Sequence, residues 1–175
     1  MMIINANSGG TNLLVPFLLA LVPLCLVLLV VRWIDYQDPE PMGVLVAAFL
    51  WGAGVATLVS LMVNNSSTIA VAEMTKSKAA GGTFATLVSA PLIEEFTKAL
   101  GLVLIYLLWR KIVNGPVDGV VYATVIAGGF AFAENILYFA RYSDQLAQLF
   151  LLRGVASPFA HVIFTACTGM ALGFG

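Results

Sequence analysis

The chain has 175 residues and a formal net charge of −1, with 61% apolar residues and only 10% charged ones. A soluble domain carries about 25% charged residues, so this chain cannot cover a water-facing sphere, and its near-neutral balance excludes broad electrostatic binding of nucleic acid. The bilayer is the solvent that fits, since a spanning helix needs about 20 mostly apolar residues. The fold class this predicts is all-α: a polytopic transmembrane helix bundle, one membrane domain over residues 1–175, with about five spans visible.

The first span is predicted over residues 13–31, with Pro16 and Pro23 near its start. Proline is tolerated in membrane helices when neighbours satisfy the freed carbonyls. Residues 1–10 hold no Lys or Arg, and the apolar run exceeds the ~7–15 residues of a signal-peptide core, so it reads as a retained span. A short charged connection, 32–41, carries Asp35, Asp38 and Glu40 beside two prolines. The second span is predicted over 43–63, followed by a long polar connection to Ala90 whose middle, 67–78, suits at most a short interfacial helix. The third span is placed at 87–108. Asn114-Gly115-Pro116 then breaks the helix. The fourth span is placed at 117–139, and 141–153 has the spacing of a helix lying at the interface. The fifth span, 155–175, is still apolar at the last residue, which predicts a chain truncated at its C-terminus.

Cys25 and Cys167 both fall in apolar runs and read as small core residues, not as a disulfide framework or zinc ribbon. No internal repeat is visible. Lys and Arg are split four to three between the two sides, which leaves orientation open. The uncharged N-terminal tail and Arg32 favour an outside N-terminus.

Charges inside a span are costly, about 2.5–3.5 kcal/mol each at the helix centre. The chain nevertheless places Glu94, Glu95 and Lys98 in the third span, Glu134 in the fourth and His161 in the fifth. Glu94 and Lys98 are i,i+4, Glu95 and Lys98 are i,i+3, and either pair can meet on one helix face. One carboxylate can then be offset by Lys98 while the other, about 100° around the helix, faces a cavity. A general base works best when such opposing influences set it near the operating pH. The plainer reading is a buried Glu–Lys pair that only holds helices together, but the second Glu is surplus to such a pair. Phe130, Glu134 and Tyr138 share a stripe, and Asn135 supplies amide donors. His161 is the only histidine, with Thr165 one turn on. It could be a satisfied core residue, a metal ligand with Glu95 and Glu134, or a partner that polarises water without metal. Neither His-Glu-x-x-His nor Gly-x-Ser-x-Gly occurs.

These pieces resemble the PrsW family of intramembrane proteases, related to CAAX-processing and bacteriocin-processing membrane proteases. Glu94-Glu95-Phe96-Thr97-Lys98 matches the family's Glu-Glu-x-x-Lys, Phe130 to Glu134 matches its Phe-x-x-x-Glu, and His161 matches its histidine motif. Asp38-Pro39-Glu40-Pro41 looks like its acidic, Pro-containing loop. The resemblance runs from about Arg32 onward. It departs at Thr165, where the wider pattern often has Asp or Asn.

The resemblance implies a bacterial, multi-pass protein of the cytoplasmic membrane that hydrolyses a peptide bond in or near the bilayer. Its partners would be the lipid bilayer and a membrane-anchored protein such as an anti-sigma factor, with no nucleic acid. The expected catalytic residues are Glu94, Glu95, Glu134 and His161, supported by Lys98, Phe130, Asn135 and Thr165. Asn135 is the candidate oxyanion donor. The cofactor stays open between a divalent metal such as zinc and none. Two other readings use the same residues: a small proton- or ion-coupled transporter, and a non-catalytic scaffold or immunity-type protein whose polar residues specify packing.

Overall fold

The computed structural model describes residues 13–174, all of whose regular structure is helical. Five helices follow: α1 (Leu14–Ile34), α2 (Met42–Thr75), α3 (residues 78–108), α4 (Pro116–Arg141) and α5 (Ser143–Gly173). Four of them, α1, α2, α4 and α5, are long and apolar enough to cross a membrane. The fifth, α3, encloses the predicted 87–108 span and is of similar length. Its apolar run is interrupted by Glu94, Glu95 and Lys98. The N-terminal tail used for orientation, and Gly175 at the end of the predicted fifth span, lie outside the described residues.

Two connections expected as loop or interfacial segment are instead continuous helix. The polar stretch after residue 63 extends α2 to Thr75, and the chain then reverses at Lys76, in the left-handed region at φ 55°, and Ser77. Ser77 caps α3 by accepting the Ala80 N–H at 3.3 Å. The extension survives its composition because its hydroxyls bond back to their own helix: Ser66 to the Met62 carbonyl at 2.9 Å, Thr68 to Asn64 at 2.7 Å and Thr75 to Val71 at 2.7 Å. Such back-bonding lets Ser and Thr sit mid-helix. Likewise the segment from Ser143 runs unbroken into the fifth span.

Packing is organised around α4, which touches all four other helices. It is apolar and small: Ala123, Ala127, Gly128, Gly129 and Ala131 are all buried. Its closest seam is with α5. A Cβ built on Gly119 would stand 2.1 Å from the Gly169 carbonyl oxygen, and one on Gly169 would stand 2.2 Å from that of Gly119. Without a hydrophobic drive between helices in lipid, such small-residue stripes are what allow backbone contact. On the other side, Gly129 admits the Phe49 carbonyl and Gly52 admits that of Ile126. By contrast α1 buries one stripe, Ala20, Leu24, Val27 and Val31, and exposes Leu14, Leu18, Leu29 and Val30. Such an exposed apolar face would be untenable in water.

Two features fix the site helix. In α2 the turn Trp51–Ala56 widens to π geometry, a distortion that often marks functional positions. Trp51 there donates its indole N–H to the Thr97 carbonyl at 3.0 Å. A Cβ on Gly101 would fall 2.2 Å from that indole ring, so the absent side chain makes room for it. Ser60 shares a hydroxyl bond with Thr97 at 3.1 Å. α3 is therefore held on both sides of Lys98 one turn from the glutamates.

Candidate active site

The intramembrane polar residues expected from the sequence converge, with one exception. Lys98 Nζ, fully buried, pairs with Glu95 Oε1 at 2.7 Å. Of the two spacings open to it, the i,i+3 pair is the one formed. Thr165 Oγ1 lies 2.9 Å from Glu95 Oε2 and 2.8 Å from the His161 carbonyl. Glu95 is thus fastened at both oxygens. This gives Thr165 a definite task, orienting Glu95.

Lys98 Nζ also lies 2.8 Å from His161 Nδ1. An ammonium only donates, so Nδ1 is the acceptor and the ring proton sits on Nε2. That nitrogen faces Glu134 Oε2 at 3.5 Å. Phe130 forms the floor beneath the ammonium and the imidazole. Lys98 Nζ stands 4.1 Å from its ring centroid, and the His161 ring meets it edge-on at 5.3 Å. The aromatic of the Phe-x-x-x-Glu motif therefore packs against the site one turn from its own glutamate.

Glu94 differs from its neighbour. Among the described residues its carboxylate has no hydrogen-bond or ion-pair partner. It lines, with Glu134, a cavity of about 730 Å³ between the α2–α3 hairpin and α4. Glu94, Glu134 and His161 each present one ligand-type atom within 4.8 Å of the others. The metal candidates expected from sequence were Glu95, Glu134 and His161. Glu94 replaces Glu95 in the group, because Lys98 and Thr165 hold Glu95 away from it.

Arg153 was not singled out by sequence. Its guanidinium pairs with Glu134 Oε2 at 2.6 Å and stacks over Tyr138 at 3.5 Å from the ring centroid. The missed signal is the helical phase: once α5 begins at Ser143, Arg153 lies eight residues before His161 and roughly on its face. Asn135 is the exception among the expected residues. Its amide donates to the Arg153 carbonyl at 3.2 Å, and it borders a gap against Ala20, Pro23 and Leu24 of α1. It braces the turn that carries Arg153 and does not face Glu94, so an oxyanion role has no geometric support.

The donor set suits a divalent cation. Two carboxylates and one imidazole are the hard and borderline donors that catalytic zinc sites use, with room left for water. Glu134 has a second oxygen beyond the one bound by Arg153. The imidazole would ligate through Nε2, which requires its proton to move to Nδ1 and Lys98 to give up its bond there.

A polytopic helical membrane protein thus brings two glutamates and a histidine, Glu134 buried and Glu94 and His161 half-buried, together beside an open cavity. Residues 40–175 match the family described as PrsW family intramembrane metalloprotease. The chain is 32% identical over 154 residues to the protease PrsW of Clostridioides difficile (strain 630), an alignment that covers 87% of this chain and 63% of that protein. The chain thus spans less than two thirds of the length of that relative. No solved structure matches. The chain belongs to the PrsW family.

Proposed function

We propose that this protein is an intramembrane endopeptidase that cleaves a membrane-anchored regulator, such as an anti-sigma factor, with water activated by the Glu94–Glu95 pair. The observation that carries it is the approach of Glu94, Glu134 and His161 to within 4.8 Å. Such convergence is what a reacting water needs, since a base must lie within hydrogen-bond reach of the proton it takes. Glu94, whose carboxylate has no hydrogen-bond partner among the described residues, accepts that proton. His161, steered by Lys98, and Glu134, steered by Arg153, orient the water from the opposite side. Glu95, locked by Lys98 and Thr165, fixes Lys98 where it meets the imidazole.

Glu94, Glu134 and His161 are the residues that would hold a divalent cation, which when bound acts as a Lewis acid and lowers the pKa of water. In that state Glu95 is the nearest carboxylate left to take a proton. The transporter and scaffold readings lack a comparable reason for three donors to meet at one point beside a cavity.

The test is cleavage of a single-span reporter protein co-reconstituted with the purified protein in vesicles. Wild type is expected to release a fragment that gel analysis detects, and Glu94→Gln combined with Glu95→Gln to release none. Undiminished cleavage by the double variant would overturn the proposal.

A further inference from the structure

The cavity that reaches Glu94 and Glu134 has a polar wall that the hydrolytic site does not use. Ser60, Asn64 and Thr68 of α2 recur every four residues and all border it, as does Thr86 of the neighbouring α3. They continue from the apolar part of α2, where Leu58 is exposed. A row of hydrogen-bonding side chains in such a setting is costly unless something pairs with it.

The pairing within the protein is incomplete in a directed way. Asn64 Oδ1 accepts from the Ser89 hydroxyl at 2.8 Å, and Ser89 in turn accepts from Ser67 at 3.0 Å. In this arrangement the amide oxygen faces Ser89 and the Nδ2 group points away from it. Among the described residues the Asn64 Nδ2 donors have no partner. The hydroxyls of Ser60 and Thr68 already bond Thr97 and the Asn64 carbonyl, and each keeps lone-pair capacity to accept an N–H.

A membrane-spanning substrate arrives with every backbone group satisfied in its own helix. Glu94 cannot deliver water to a carbonyl buried in that ladder, so a stretch of the substrate must unwind. Each backbone group freed in the bilayer then needs a new partner. The α2 stripe offers both kinds, amide donors at Asn64 and acceptor oxygens at Ser60 and Thr68, in a space of about 730 Å³.

From this geometry we infer that the Ser60–Asn64–Thr68 face receives the unwound backbone of a membrane-spanning peptide, with Asn64 as the main specificity-determining donor. Resting on the hydrolytic reading above, it adds which substrates enter: those whose span contains a weak helical point. A regular, strongly helical span has no free carbonyl for Asn64 and is held more weakly.

Binding separates this inference from hydrolysis. The probes are two fluorescein-labelled, Lys-flanked Leu/Ala peptides of about 20 apolar residues, one uninterrupted and one with a central Gly-Pro break. Anisotropy titrations use the full chain in detergent micelles, both wild type and Glu94→Gln, the latter because it cannot consume the probe. The broken peptide is expected to bind about tenfold tighter than the uninterrupted one. Asn64→Leu should weaken the broken peptide by about three- to tenfold, the scale of one or two hydrogen bonds, and leave the uninterrupted peptide unchanged. Thr86→Val, which also lines the cavity and is bonded only to its own helix at the Gly82 carbonyl, gives a second variant should Asn64→Leu fold poorly, with weakening in the same direction. Equal binding of the two peptides, no binding of either, or indifference to both substitutions overturns the inference. Selective binding without any cleavage by wild type would instead contradict the hydrolytic reading and leave the groove assignment standing.

Discussion

The α4–α5 seam and the cleft between the α2–α3 hairpin and α4 are built from opposite materials. In the seam, Gly119 and Gly169 bring backbone against backbone, and nothing polar is needed. Across the cleft, helices stand apart, and Ser60, Asn64, Thr68 and Thr86 border open space. Glycine occurs in both, yet with opposite meaning: a Cβ on Gly169 would strike Gly119, whereas one on Gly82 would meet nothing within 4 Å. The seam fixes His161 relative to Glu134, and the cleft leaves Glu94 reachable. A site that must be both rigid and accessible draws on one element for each requirement.

Substitutions in the seam should have the largest effects. Gly169→Val forces α4 and α5 apart, and overpacking of this kind costs about 3 kcal/mol. Thermal unfolding in detergent should show it, together with loss of any cleavage as His161 moves from Glu134. Lys98→Met comes next. It leaves Glu95 beside an uncharged neighbour, and with Glu95 partly exposed the loss is expected at about 2 kcal/mol, below the range for a wholly buried pair.

At the cleft the sign reverses. Gly82→Ala adds a methyl into open space on a helical turn and is expected to stabilise by about 0.5–1 kcal/mol. A destabilisation there would show that the cleft is closed by contacts absent from this structure.

The smallest effect concerns Glu40, outside both regions in the loop before α2. It is buried, accepts the Tyr122 hydroxyl and donates its N–H to the Asp35 carboxylate at 3.1–3.2 Å. Burial raises its pKa from 4.5, opposed by the Tyr122 bond and aided by the Asp118 and Asp35 charges. The folded state therefore binds this proton more tightly than the unfolded chain. The associated stability is complete below pH 4.5 and is lost as pH rises through the folded value. Glu40→Gln, which keeps an acceptor for Tyr122, should flatten that part of the profile of melting temperature against pH.

Much of this architecture is legible in the sequence because lipid makes polarity conspicuous. Glu94, Glu95, Lys98, Glu134 and His161 stand out as charges or imidazole within apolar runs, and helical phase brings Lys98 to the glutamates. Phase alone could not choose between Glu94 and Glu95 as the partner of Lys98. That choice depends on Thr165 and His161 from a helix more than sixty residues away. The length of α2 was hidden for a different reason: Asn, Ser and Thr favour loops in isolation, and only their back-bonds and packing against α3 make residues 64–75 helical. Arg153 was obscured by the same kind of error at the start of α5. Asn135 misled because a donor next to Glu134 in sequence points about 100° away on a helix, towards α1.

The central claim is that Glu94, Glu134 and His161 act on one water as a unit, and a mutant cycle on cleavage tests it directly. Single-turnover rates on the single-span reporter should fall by about 10²–10⁴-fold in Glu94→Gln and in His161→Ala. In the double variant the rate should fall little further, since residues that act together lose their effect together. Losses that multiply in the double variant, or a Glu94→Gln protein that cleaves at the wild-type rate, would contradict the account.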